Sequence, residues 1–153
     1  MPKINLSAIA ERRGTDYPAA YATQPGPRMR QRIGDAGGLT QFGVNRLELP
    51  PGSWSAQRHW HSVDDEFVCV LAGEVVLVTD AGEEMLRAGD CAAFPANTPN
   101  GHHLINRSAT LAVCLEVGSR SALDAVDYPD IDMICAPGVP GYLHRDGTPY
   151  PES

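Results

Sequence analysis

The chain has 153 residues, 42% of them hydrophobic and 20% charged, which is the composition of an ordinary folded domain. A domain of this length buries roughly 70% of the surface that its unfolded chain exposes, so we expect one domain with a real core. Nineteen acidic and twelve basic residues give a formal charge of −7, which argues against binding to the phosphate backbone of nucleic acid.

The sequence contains no run of about 18 apolar residues that would predict a membrane span. Residues 1–14 lack the apolar core of a secretory signal. The four cysteines have neither C-x-x-C spacing nor the density of a disulfide scaffold, and we interpret them as reduced thiols. We therefore expect a cytoplasmic protein that binds neither a membrane nor nucleic acid.

The first part of the chain, residues 1–38, is rich in proline, glycine and arginine. This composition predicts an extended N-terminal arm with one short helix near residues 6–12. We interpret the arginines of the arm as solvated or interface charges, because they are spread over some twenty residues with prolines between them. They are Arg12, Arg13, Arg28, Arg30 and Arg32.

From residue 39 the sequence changes to short β-type runs separated by turn residues, which predicts an all-β domain over residues 39–118. Glycine between the runs supplies the backbone angles that tight reversals need, as in Asp80-Ala81-Gly82. Eight short strands with this spacing are typical of a jelly roll or small barrel. The predicted strands are 39–49, 54–61, 66–72, 74–79, 83–86, 91–94, 102–106 and 110–117.

The last part, residues 119–153, resembles a loop but carries apolar residues such as Tyr128, Met133, Tyr142 and Leu143. We expect this C-terminal tail to be ordered and to pack on the barrel or on a partner subunit. Arm and tail together exceed what one small barrel needs, and open barrel edges invite pairing, so the sequence predicts a homodimer.

Two histidines two residues apart, His59 and His61, are the first candidate metal ligands. Residues two apart in a strand point to the same face, so this pair can present two nitrogens to one cation. Glu66 follows at an odd separation, and the polar segment 62–65 predicts a turn that brings its carboxylate back to the same centre. A fourth ligand must come from a distant strand, at His102 or His103. Alternation alone does not choose between these two neighbours.

Two segments resemble the motifs of a known family. Residues 52–73 (GSWSAQRHWHSVDDEFVCVLAG) resemble the first cupin motif, and residues 89–106 (GDCAAFPANTPNGHHLIN) resemble the second. In the second motif an asparagine follows the metal-binding histidine by four residues, so Asn106 selects His102, with His103 as its outward neighbour. The resemblance covers about residues 39–118. It implies a cupin-type double-stranded β-helix, a jelly-roll barrel, with one metal held by His59, His61, Glu66 and His102.

The chain departs from the second motif after Pro95, where the family usually has a glycine two residues on. Asn97 stands at that position, and asparagine is the replacement that best tolerates a positive φ. The interval from Pro95 to His102 is also longer than usual by about two residues, which enlarges the loop at the barrel mouth.

Three imidazoles and one carboxylate suit a single divalent transition metal: Fe, Mn, Co, Ni, Cu or Zn. Such a set leaves coordination positions for substrate, as catalysis requires. Two polar residues are candidates for contacting the substrate. Gln57 shares the face of His59 by parity, and Asn45 lies on an early strand.

The function suggested by this pattern is that of a metal-dependent enzyme acting on a small polar organic molecule. The resemblance implies a sugar phosphate isomerase, a dioxygenase or a decarboxylase, and small bacterial cupins of this pattern are sometimes labelled sugar phosphate isomerases. The alternative is a non-catalytic module that binds or senses a small ligand. An isomerase of phosphorylated sugars should show basic residues at the barrel mouth, where the barrel portion offers only arginines: Arg46, Arg58, Arg87, Arg107 and Arg120.

Overall fold

The computed structural model describes residues 3–151, and within them the chain is almost entirely β-structure. Two short helical segments occur in this range, a 3₁₀ turn at Leu6–Ala8 and α1 at Ile33–Ala36, and neither is long or apolar enough to cross a membrane. The strands are β1 (Arg12–Arg13), β2 (Met29–Gln31), β3 (Phe42–Leu49), β4 (Trp60–His61), β5 (Glu66–Ala72), β6 (Glu74–Thr79), β7 (Gly82–Arg87), β8 (Cys91–Phe94), β9 (His103–Ile105), β10 (Ala112–Ser119), β11 (Val126–Tyr128) and β12 (Met133–Cys135).

The strands form three antiparallel sheets. The largest has the order β1-β2-β3-β10-β5-β8, and the two smaller ones have the orders β7-β6-β9 and β12-β11-β4. A single apolar core joins the largest sheet to the β7-β6-β9 sheet, with Leu47, Val70, Val75 and Leu104 all at least 96% buried. The all-β prediction is therefore confirmed.

Side-chain alternation decides what the largest sheet presents to the interior. On β5 the buried residues Val68 and Val70 alternate with the exposed Phe67 and Leu71. Glu66 shares the inward face of Val68, because it lies two residues before it on the same strand. The sheet therefore turns a carboxylate toward the barrel interior at the start of β5.

The strand boundaries match the predictions where the chain runs straight through the sheet. The predicted runs 66–72, 74–79 and 91–94 coincide with β5, β6 and β8. The predicted strand 54–61 is wrong over most of its length, since only Trp60–His61 forms a strand. Before it the backbone bends, and its amides pair irregularly, with Trp54 N–H donating to Pro25 O (3.0 Å) and Ser55 N–H to Leu104 O (2.8 Å).

The N-terminal arm packs on its own chain. β2 pairs antiparallel with β3, and β1 pairs with β2, so the arm extends the largest sheet. The helix expected near residues 6–12 is a single 3₁₀ turn, in which the Asn5 side chain accepts from Ser7 N–H (3.2 Å). Pairing with the arm covers an edge of β3 that would otherwise expose unpaired backbone groups.

Within residues 3–151 the C-terminal tail pairs with the strand that carries His61. β11 pairs with β4 on one side and with β12 on the other. Tyr128 and Met133 of the tail form a second buried cluster with Tyr17 of the arm, whose ring meets that of Tyr128 edge-on at 5.9 Å. Arm and tail therefore meet over one side of the barrel.

Asn97 has a positive φ of 54°, and it is the single non-glycine residue of the described range with that geometry. Its amide N–H donates to His61 O at 2.9 Å. The replacement of the family's glycine by asparagine is thus accommodated, as predicted from its tolerance of left-handed backbone.

Gly73, the closing glycine of the first motif, provides a test of backbone packing. Its φ is +74°, and a Cβ there would lie 2.7 Å from Leu111 O and 2.9 Å from Ala112 Cα. Gly73→Ala should lower the free energy of unfolding by about 2–4 kcal/mol, from left-handed strain plus overpacking. Gly138→Ala is the matched control, because Gly138 has a φ of +70° with open space around it. It should cost only about 1–2 kcal/mol from left-handed strain alone. Denaturant unfolding measures both, and equal losses would contradict the close backbone contact.

Candidate metal centre

The two motif segments meet at an isolated antiparallel bridge between His59 and His102. His59 N–H donates to His102 O at 3.2 Å, and His102 N–H donates to His59 O at 2.9 Å. This pair of hydrogen bonds fixes the relative register of segments 43 residues apart in sequence. The two imidazole ring centres consequently lie 5.0 Å apart.

The side chains of His59, His61 and His102 converge on the carboxylate of Glu66. The distances from Glu66 Oε2 are 3.5 Å to His59 Nε2, 3.4 Å to His61 Nε2 and 2.9 Å to His102 Nε2. His59, His61 and Glu66 each offer one ligand atom within 4.8 Å of the others. The structure thus brings together the four residues predicted as ligands. His102 as the fourth ligand remains a prediction, because it is linked to this group mainly through Glu66.

Two of the imidazoles are oriented by hydrogen bonds at their other nitrogen. His59 Nδ1–H donates to Gln57 O at 2.8 Å, and His61 Nδ1–H donates to Asp124 Oδ2 at 2.6 Å. When Nδ1 carries the proton, Nε2 keeps its lone pair, which is the form that binds a metal. Both rings are therefore held with Nε2, the nitrogen that would bind a metal, facing Glu66.

Asp124 is a supporting residue that sequence reasoning did not single out. Its carboxylate also accepts from the backbone N–H groups of Val63 (2.8 Å) and Asp64 (3.1 Å), in the turn before Glu66. Burial would raise its pKa, but the hydrogen bonds from His61 and from these backbone groups hold the pKa below its usual range. The carboxylate is therefore ionised beside His61. Asp124 lies 63 residues after His61, and nothing in the local sequence signals that pairing.

Glu66 and His102 have charge states that suit cation binding. Burial would lower the pKa of His59, but the hydrogen bond with Glu66 raises it, so a cation competes with a proton at that ring. Burial would raise the pKa of Glu66, but hydrogen bonds with His102 and His59 hold it well below its usual range, so the group is a carboxylate at neutral pH. Burial lowers the pKa of His102, which favours the neutral ring. The ring of Phe94 stacks on His102 with centroids 3.6 Å apart and fixes its plane.

The centre lies in a cavity of about 450 Å³. Asn45, one of the two residues predicted to contact substrate, lines this cavity. Among the residues that the structure describes, the lining also includes arginines of the N-terminal arm and of the segment after β10, namely Arg28, Arg30, Arg32 and Arg120. The arm arginines were interpreted from the sequence as solvated or interface charges. Their period-two spacing was the signal that they share one face of a strand.

Gln57, the other residue predicted to contact substrate, lies away from this cavity. Its side-chain amide donates to Tyr21 O (2.9 Å) and to Gln24 Oε1 (3.3 Å), on the side of the arm. The parity argument required a regular strand, whereas the backbone bends before His59. Gln57 therefore serves the centre through its carbonyl oxygen, and we retain Asn45 alone as a candidate for substrate contact.

The side chains of His103 and Arg58, the sequence neighbours of His102 and His59, contact groups outside the ligand set. His103, expected to face outward, is 6% exposed, because Trp54 covers it with its ring centre 4.9 Å away. Its Nδ1–H donates to Ala56 O at 3.0 Å. Arg58 forms ion pairs with Asp80 and Asp130.

The donor set fits a divalent transition metal. Three imidazole nitrogens lie within 3.5 Å of one carboxylate oxygen of Glu66, and ligands of this kind suit borderline first-row ions. In many metal sites a carboxylate accepts a hydrogen bond from the nitrogen of a ligating histidine that does not bind the metal. Asp124 makes this contact with His61.

Asp124→Asn tests this support. The asparagine oxygen can still accept from Val63 and Asp64, but the charged acceptor for His61 Nδ1–H is lost, so metal affinity should fall about 10- to 100-fold. Asp132→Asn is the matched control, because Asp132 holds His144 Nδ1–H at 2.7 Å in the tail. Its metal affinity should stay within twofold of the wild type. Competition with a chelating dye measures both, and equal affinities for the two variants would contradict the assignment.

Comparison with known proteins identifies the family. Residues 45–118 match the family model described as a cupin domain. A crystal structure from Silicibacter pomeroyi DSS-3, described as a sugar phosphate isomerase from a cupin superfamily, has 45% sequence identity and a TM-score of 0.90, covering 97% of this chain and 96% of that chain.

Two further structures are similar over much of the chain. One from Acidithiobacillus ferrooxidans, named as a proposed sugar phosphate isomerase, has 29% identity and a TM-score of 0.71 over 78% of each chain. A predicted oxalate decarboxylase from Thermotoga maritima has 21% identity and a TM-score of 0.64, covering 78% of this chain and 100% of that chain, and shows the fold alone. No protein with a curated description matches the sequence. The fold, the motif residues and these similarities show that the chain belongs to the cupin superfamily.

Proposed function

We propose that this protein is a metal-dependent enzyme that acts on a small polar organic molecule, with the isomerisation of a sugar phosphate as the favoured reaction. The observation that carries the proposal is the position of the ligand group, which faces a cavity of about 450 Å³ instead of being enclosed by protein. Structural metal sites are closed by four protein ligands, whereas catalytic sites leave room for substrate. The cavity volume lies in the range of small-molecule sites.

The residues that would hold the metal are His59, His61, Glu66 and His102. When bound, a divalent ion there would supply Lewis-acid polarisation of a substrate carbonyl or hydroxyl oxygen. Gln57 O and Asp124 hold two of the imidazoles in the tautomer that keeps Nε2 free. Val68, Phe94 and Leu104 supply apolar wall that limits water in the cavity. The amide of Asn45, which lines the cavity, would hydrogen-bond a polar group of the substrate.

The preference for a sugar phosphate over the other reaction classes is supported by the relatives. The two structures whose names include sugar phosphate isomerase have 45% and 29% identity, whereas the oxalate decarboxylase match supports the fold alone. Arginines at the cavity also supply the positive charge that a phosphorylated substrate needs. The barrel portion alone contains few basic residues for this purpose. The runner-up remains a non-catalytic module that binds a small ligand in the same cavity.

The test combines metal content with turnover. The purified protein should contain close to one transition-metal ion per chain, and His61→Ala should lower that content at least tenfold while its circular dichroism spectrum remains that of a folded β-protein. Incubating a panel of aldose and ketose phosphates with the metal-loaded protein should interconvert one pair, followed by NMR. His144→Ala, a histidine of the tail paired with Asp132, is the control and should keep both metal and turnover. Binding of sugar phosphates without any interconversion would favour the non-catalytic alternative.

We further propose a homodimer in the cytoplasm. Arm and tail pack on their own barrel, and we place the partner on the outward face of the largest sheet, where Phe67 is 40% and Leu71 50% exposed. The proposal of a reducing compartment is supported by the four cysteines, which form no disulfide with one another.

The dimer is tested by light scattering at micromolar concentration. The measured mass should be twice the 16.4 kDa of the chain. Leu71→Glu should shift it toward the mass of one chain, because it places a charge in a desolvated interface. Val63→Glu, at an equally exposed apolar residue outside the sheet face, is the control and should leave the mass unchanged. A monomer mass for the wild type would refute the dimer.

A further inference from the structure

The wall of the cavity carries more positive than negative charge, although the chain as a whole carries −7. Four arginines line it, and the acidic residues in the same lining are Asp35, Glu66 and Glu116, so the described lining has an excess of one positive charge before any metal is counted. A cation in the metal centre would increase that excess. A net positive charge in a low-dielectric cavity favours the entry of an anion.

The arginines at the cavity differ in how their charges are compensated. Arg30 Nη2 donates to Glu116 Oε1 at 3.0 Å, and Arg32 and Arg120 both pair with Asp35. Arg28 has no acidic partner among residues 3–151. It is therefore the least compensated charge on this wall.

Arg28 is 8% exposed and is held in place by carbonyl oxygens. Its Nε–H donates to Gly14 O at 3.2 Å and its Nη1–H to Ser55 O. Within the part of the chain that the structure describes, no protein atom accepts a hydrogen bond from Nη2. Burial and the neighbouring Arg30 lower the pKa of Arg28, but guanidinium stays charged at neutral pH. A fixed guanidinium with free N–H groups is suited to bind phosphate oxygens.

The register of the sheet relates this wall to the metal centre. Glu116, the partner of Arg30, lies opposite Val68, while Gly118 lies opposite Glu66. Glu116 is thus displaced from the level of Glu66 by two residues along the strand, roughly 7 Å. A phosphorylated sugar of a few carbons could therefore span from the level of Glu66 to that of Glu116 and its partner Arg30. Arg28 lines the same cavity.

We propose that Arg28, with Arg30 beside it, forms the seat for the phosphate group of the substrate, so that the sugar end is directed to the metal centre. This inference rests on the proposed function for the identity of the substrate. The seat itself depends only on the arm and on the inner face of the sheet. Arg28 and Arg30 would be specificity-determining residues, because a neutral sugar would leave the buried Arg28 without its counter-charge.

The test measures the binding of inorganic phosphate to the full-length protein stripped of metal with a chelator, by calorimetry at constant ionic strength. The wild type should bind phosphate, and Arg28→Met should raise the Kd at least tenfold. Arg107→Met is the matched control, because it removes the same charge from an exposed ion pair with Glu83. Its Kd should stay within twofold of the wild type.

A second variant separates loss of the seat from damage to the fold. Glu116→Gln removes the carboxylate that compensates Arg30, so phosphate should bind at least threefold more tightly, a gain that damage to the fold would not produce. An unchanged or weaker affinity would overturn the inference. Malonate, a dianion with carboxylate oxygens, is measured in parallel, and tighter Arg28-dependent binding of malonate than of phosphate would overturn the phosphate assignment.

The outcome is distinguishable from failure of the proposed function. Phosphate that binds only the metal-loaded protein, with no effect of Arg28→Met, would place the anion on the metal and refute the seat. Arg28-dependent phosphate binding in the stripped protein, combined with no turnover of any sugar phosphate, would leave the seat standing and refute only the enzyme.

Discussion

The pair of backbone hydrogen bonds between His59 and His102 is the constraint on which the site depends. These residues come from segments separated by four strands, and the bridge holds them at one level of the barrel. Glu66 then needs only the inward face at the start of β5 to reach both imidazoles. Because main-chain hydrogen bonds set the register, the ligand geometry does not rely on the flexibility of the side chains.

The bulk charge of the chain is a poor guide to the charge of its cavity. The surface is acidic overall, yet the arm brings three arginines to the cavity wall at alternate positions. Arg30 and Arg32 pair with carboxylates, whereas the buried Arg28 donates to carbonyl oxygens. Such partners are how a buried cation is tolerated. The arm therefore contributes charge to the cavity wall as well as covering the edge of β3.

The tail has a comparable double role. β11 completes the small sheet with β4, which carries His61, and the segment before β11 carries Asp124, which orients the His61 ring. The motif residues are consequently supported by parts of the chain that lie outside the motifs. A cupin barrel reduced to residues 39–118 would lack Arg28 on one side and Asp124 on the other.

The sequence by itself determined the all-β fold, the positions of β5, β6 and β8, and three of the four residues that converge in the structure. These features are encoded locally, in period-two alternation, in glycines at turns, and in the spacing of His59, His61 and Glu66. The choice of His102 over His103 needed the family resemblance, because alternation treats neighbours alike.

Only the tertiary structure decided the direction of Gln57, the burial of His103, and the roles of Asp124 and Arg28. The direction of the Gln57 side chain was not predicted because alternation fails where the backbone bends. The burial of His103 was not predicted because it depends on packing against Trp54. Asp124 accepts a hydrogen bond from His61, 63 residues away, and Arg28 donates one to Ser55 O, 27 residues away. Contacts of that kind depend on how arm and tail pack against the barrel, which no local pattern of residues specifies.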